Sequence, residues 1–194
     1  MKRLRTYNSA NAWLSAEMVG NYSWIHQFSA PEIAELELAA IKVLDNEIIN
    51  LSCEDFELPT LDPILQSIRG DVVDGHGFAL LRGLPVQQWS LELTARVYWA
   101  IGSRIGLPIS QNRVGNLLGH VTDMGGEADH PNQRGHQSSD ALAFHTDIGA
   151  EIVGLLCLSD ARSGGESALS SAVAVWNTLV TEWPEYAKAL TDTF

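Results

Sequence analysis

Basic residues are scarce in this chain. Twelve lysines and arginines stand against 24 aspartates and glutamates, a formal net charge of -12 over 194 residues. A surface this acidic repels phosphate backbones, which excludes nucleic acid and anionic membranes as natural partners. An anionic small substrate stays possible only where a local cation holds it. Cysteine is scarcer still, at two residues, so no disulfide framework can form and a reducing, cytoplasmic compartment is expected. No run of ~18 apolar residues is present, which removes a membrane-spanning helix from the expectation. The basic start Met1-Lys2-Arg3-Leu4-Arg5 is followed by Asn8, Ser9 and Asn11, which interrupt any secretory apolar region. Internal repeats and low-complexity tracts are absent as well. What remains is globular in composition, 45% hydrophobic and 19% charged, at a length that suits one domain.

Helix signals are clear in the first half. Ser29 and Glu32 make a Ser-x-x-Glu capping box, after which Ile33, Leu36, Ala40, Leu44 and Ile48 fall on one face. A second helix is predicted after Thr60, with Asp62 and Pro63 in its first turn, Ile64, Leu65 and Ile68 on its apolar face, and Gly75 and Gly77 ending it. Ser90 opens a third, with Leu93, Val97, Ile101 and Ile105 facing inward. Between them Phe78-Ala79-Leu80-Leu81 reads as a buried strand. The stretch from Thr122 to Ser139 has no period and holds Gly125, Gly126, Pro131 and Gly135, the mark of a long functional loop. Strands are predicted at 141–146, 151–158 and 167–170. A last helical region carries Val173, Trp176 and Val180 on one face and restarts at Pro184. Cys157, inside the apolar run Val153 to Leu158, is expected to be a small buried hydrophobe. The six tryptophans are dispersed and read as packing residues.

The most informative words are Phe144-His145-Thr146-Asp147. On a strand, residues two apart share a face, so His145 and Asp147 could grip one metal ion from one strand end. An imidazole and a carboxylate are two of the three ligands of a 2-His-1-carboxylate triad, which leaves open positions on ferrous iron. By itself His-x-Asp is a weak signal that reads first as a surface pair at a strand end.

The order of further blocks adds to it. Gly75-His76-Gly77-Phe78-Ala79-Leu80-Leu81-Arg82-Gly83, then Leu142 to Asp147, Leu155-Leu156-Cys157-Leu158, Gly164-Gly165-Glu166-Ser167 and Ser170-Ser171 together resemble the taurine catabolism dioxygenase (TauD/TfdA-like) family of iron- and 2-oxoglutarate-dependent oxygenases. The resemblance implies an α+β protein. Its fold would be a double-stranded β-helix (a jelly roll of the clavaminate synthase-like kind) with N-terminal helices, incomplete at the C-terminus. It implies one oxygenase domain over 1–194, with a helical part at 1–75 and the first part of the β-helix core at 76–194. It further implies Fe(II) at His145 and Asp147, 2-oxoglutarate as co-substrate held in part by Ser167, and hydroxylation of a small organic substrate. Asn112, Arg113, Arg134, Gln137 and Ser138 occupy the region where the family places substrate contacts.

The pattern also departs from the family, which completes its site with a distal histidine and an arginine. After Asp147 this sequence has no histidine and one arginine, Arg162, which reads as a turn residue. His136 is the first substitute ligand to consider, ahead of His130, His120, His76 and His26. The alternative is therefore a truncated, non-catalytic pseudo-enzyme or interaction module that keeps half a metal site. On either reading the apolar strands lack cover, and self-association or a partner chain is expected.

Overall fold

A computed structural model of the chain describes residues 4–111, 115–121, 142–147 and 149–192. Six α-helices are formed among them: α1 Ser15–Met18, α2 Ala30–Lys42, α3 Leu61–Val73, α4 Leu91–Ile105, α5 Ala172–Glu182 and α6 Pro184–Ala189. Two strands, β1 Ile25–Gln27 and β2 Leu80–Arg82, pair in parallel with Ile25 opposite Leu80. The chain divides into two compact units, one of residues 1–105 with 157–194 and the other of residues 106–156.

The first unit is built on helix packing. α4 lies against both α2 and α3. Leu36, Ala39 and Ala40 of α2, Leu61, Leu65 and Ile68 of α3, and Val97, Ala100 and Ile101 of α4 form its buried core with Phe56 and Leu58. These are the three-and-four spaced positions expected of helices that hide one stripe. The predicted helices at 30, 61, 91 and 172 all form, and Pro184 does restart the chain as α6.

α2 stops at Lys42, short of the predicted Leu44 and Ile48, and the reason is tertiary. Arg96 of α4 is 7% exposed. It donates from Nε to the Val43 carbonyl at 3.1 Å, and from Nη2 to the Leu44 and Asn46 carbonyls at 2.6 and 2.9 Å. A cation placed on carbonyls just past a helix end satisfies groups that a longer helix would otherwise bond internally. Trp99 donates its indole N–H to the Leu51 carbonyl, and Arg104 donates to the Phe56 carbonyl and pairs with Asp62 at 2.6 Å. One face of α4 thus holds the irregular segment 43–56 by its main chain.

The capping box forms through its acid. The Glu32 carboxylate accepts from the Ser29 N–H at 2.6 Å and from the Ser29 hydroxyl at 2.7 Å, and His26 Nε2 lies 3.5 Å away. Burial opposes ionisation and is the largest single influence on Glu32. The two Ser29 hydrogen bonds and His26 together outweigh it, so the pKa falls below its ordinary 4.5. A lowered folded-state pKa gives stability that is complete above the unfolded value and is lost as pH falls through the folded one. Glu32→Gln should therefore cost about 1 kcal/mol at neutral pH, in the range of a lost N-cap, and flatten the acid limb of the stability curve below pH 4.5. Urea unfolding from pH 3 to pH 7 checks this, and parallel curves for both proteins would refute it.

Phe78–Leu81 was expected to be a buried strand. β2 starts two residues later, at Leu80, and is only half buried, with Phe78 instead surrounded by the rings of Trp13, Trp24 and His76 at 5.0–5.3 Å. Gly83 follows β2 at φ +97, a left-handed backbone conformation that favours glycine.

The remaining strand predictions need correction. Among the described residues, sheet structure is confined to β1 and β2, and 142–146, 151–158 and 167–170 form none. An apolar run is a strand only when a neighbour takes its N–H and C=O groups, and no such neighbour faces these runs among the described residues. Cys157, expected to be buried, is exposed. No helix among the described residues is long and apolar enough to cross a membrane.

Candidate metal centre

Residues 142–147 belong to the second unit and run without helix or sheet. The period-two argument for His145 and Asp147 required a pleated ladder, and there is none to set which way each side chain points. Both residues are exposed, as are their apolar neighbours Leu142 and Phe144.

One local contact shapes the site. His145 Nδ1 lies 2.8 Å from the carbonyl of Ala143, two residues back. A carbonyl can only accept, so in this hydrogen bond Nδ1 carries the proton. The neutral ring then keeps its lone pair on Nε2, which points the metal-binding nitrogen away from the main chain. Metal-bound histidines are typically oriented by such a bond from the other ring nitrogen. Sequence reasoning missed Ala143, since a carbonyl leaves no mark in the side-chain pattern. The donor set, one neutral imidazole nitrogen and one carboxylate, suits a borderline divalent transition ion. Among the described residues no group of three histidine, cysteine or acidic side chains is placed to hold a metal.

The second sequence block lies in the first unit. Ser163-Gly164-Gly165 turns with both glycines at positive φ, +74 and +82. A side chain at Gly165 would also bring its first carbon to 3.1 Å from the Ala161 methyl. The turn thus requires glycine, and it delivers Ser167 exposed, four residues before Ser171. Ser171 Oγ accepts from the Ala174 N–H at 2.9 Å and starts α5. Arg162 is exposed in the turn, as its sequence reading expected. His120 is exposed in the second unit. His26 and His76 are committed to the first unit, His26 beside Glu32 and His76 against Phe78. Asn112, Arg113, His130, Arg134, His136, Gln137 and Ser138 lie outside the described residues.

Comparison with known proteins bears on the family of the chain. The model of the taurine catabolism dioxygenase TauD, TfdA family matches residues 41–194. FR-33289 synthase of Streptomyces rubellomurinus is 27% identical over 178 residues, covering 90% of this chain and 52% of that protein. Taurine hydroxylase-like protein SAT17 of Stachybotrys chartarum is 31% identical over 195 residues, covering 95% of this chain and 50% of that protein. The chain spans about half the length of the curated relatives it matches.

Proposed function

Since this chain belongs to the taurine catabolism dioxygenase TauD, TfdA family, we propose that it carries the first part of an Fe(II)- and 2-oxoglutarate-dependent oxygenase. It would be a double-stranded β-helix enzyme that hydroxylates a small organic molecule. The observation that carries the metal assignment is the His145 Nδ1–Ala143 carbonyl bond, which leaves Nε2 free as a ligand. On this reading His145 and Asp147 hold iron, and the Ser167 hydroxyl donates to a 2-oxoglutarate oxygen. When bound, iron with 2-oxoglutarate and dioxygen supplies the oxidising power for an unactivated C–H bond. The chain's own part is to hold the ring tautomer, place the carboxylate and offer the serine donor. The relatives' names, a synthase and a hydroxylase-like protein, support oxidation of a small molecule. Substrate contacts are assigned to Asn112, Arg134 and Ser138 on the strength of the family pattern alone. A single domain over 1–194, with its helical part at 1–75, is part of the same proposal.

A second reading is a non-catalytic module with half a site, since the sequence after Asp147 holds no histidine and a single arginine, Arg162. Titration with Fe(II) or Co(II) under argon separates the two. Two protein ligands leave most of the coordination sphere to water, so weak binding is expected, abolished by His145→Ala and by Asp147→Ala. Binding unchanged in both variants would remove the site. Tight stoichiometric binding would reveal a further ligand, with His136→Ala the first variant to test. Succinate release from 2-oxoglutarate above a metal-free control would refute the non-catalytic reading.

A further inference from the structure

Residues 5–13 run as an irregular segment across α5, 170 positions away in sequence. The Tyr7 N–H donates to Asn177 Oδ1 at 2.8 Å, and Asn177 Nδ2 donates back to the Tyr7 carbonyl at 2.8 Å. A side-chain amide here does what a neighbouring strand would do: it takes both polar groups of one residue. The Trp176 indole donates to the Arg5 carbonyl at 2.9 Å, and the Ser171 hydroxyl donates to the Asn11 carbonyl. At its other end the segment is anchored on the helical body. The Trp13 indole donates to the His76 carbonyl at 2.8 Å, and its ring packs on Phe78 at 5.3 Å.

The partners of α5 make this segment matter. Among helices α5 packs chiefly on α6, while α4 packs on both α2 and α3. Few residues of α5 and α6 are buried, Ala174 and Ala187 being the ones. Beside the segment lies a groove of about 330 Å³ lined by Trp13, Leu14, Leu169, Val175, Leu179 and Trp183, so the contact is not closed by packed apolar surface. What remain are side-chain-to-main-chain hydrogen bonds, exposed at Asn177 and Trp176 and part-buried at Ser171, and such lightly packed regions open at low free energy.

We propose that residues 5–13 are a detachable strap that ties the α5–α6 pair to the helical body. Strap, α5 and α6 open together as one cooperative unit while α2, α3 and α4 stay closed. Ser171 is both the cap of α5 and a strap contact, so release of the strap also loosens the start of the helix.

Native-state hydrogen exchange on the full chain tests this. Asn177→Leu keeps the branching of the side chain and removes both Tyr7 bonds. Exchange is expected to rise about tenfold or more over residues 5–13 and 172–189 together, with α2–α4 unchanged. Equal acceleration in α2–α4, acceleration confined to 5–13, or no acceleration would each overturn the proposal. If the variant does not fold, the unaltered chain in low urea decides. Residues 5–13 and 172–189 should open along one shared curve below that of α2–α4, and a single curve for all of them refutes the strap.

Discussion

Arg96→Met should lower the unfolding free energy by about 1–3 kcal/mol, the cost of leaving a buried main-chain acceptor without its charged donor. Methionine preserves much of the stem's volume, so the loss reports the guanidinium rather than a cavity. The Leu44 and Asn46 carbonyls lose the guanidinium at once, and the Val43 carbonyl keeps only the Asn46 N–H. An unsatisfied buried polar group costs about 1–3 kcal/mol, and water entering beside the exposed Asp45 and Asn46 recovers part of the total. The remainder is a large share of the roughly 5–15 kcal/mol that keeps a domain folded. Arg96→Lys should recover less than half, because an ammonium on a narrower stem cannot fork across three acceptors. Urea unfolding followed by circular dichroism gives the numbers. A loss under about 1 kcal/mol for Arg96→Met would mean that segment 43–56 is held by Trp99 and Arg104 without it.

The second large effect is association. Leu155 is 81% exposed and Phe144 74% exposed, and Leu142, Val153, Leu158 and Leu169 are exposed as well. At ~25 cal/mol per Å² of apolar surface, covering a few hundred Å² yields several kcal/mol, enough to drive self-association or capture of a partner segment. The chain is expected to sediment as concentration-dependent oligomers and to bind a hydrophobic dye. Phe144→Lys with Leu155→Lys should cut dye binding several-fold and shift the population toward monomer, without changing the unfolding of α2–α4. A monodisperse monomer that binds no dye would show that these side chains find cover within the chain.

The helices were legible because their determinants are local. The Ser29–Glu32 box, the Pro63 start and the Pro184 restart each act within one or two turns, and the apolar spacing of Leu61, Leu65 and Ile68 repeats on the scale of the element itself. The strands were not legible in the same way. Leu155 and Leu156 have the composition of a buried strand, yet composition cannot supply the neighbouring main chain that makes a strand. β1 passed unnoticed for the converse reason: Ile25–Gln27 is three residues long and owes its form to β2.

The site divides along the same line. His145, Asp147, the Gly164-Gly165 turn and Ser167 stand out in the sequence as chemistry-bearing words, and all of them lie within the family match over residues 41–194. The hydrogen bond of His145 to the Ala143 carbonyl does not stand out, because a main-chain acceptor is the same at every residue. By itself, then, the sequence determined the helical segments, the acidic surface, the family and the candidate ligands, all of which depend on residue identity and short spacing. Tertiary structure alone decided that α2 ends at Lys42 under Arg96 and that residues 5–13 cross α5. Each of these hangs on where a particular donor or acceptor sits in space, and contacts between residues as much as 170 positions apart leave no period in the chain to read.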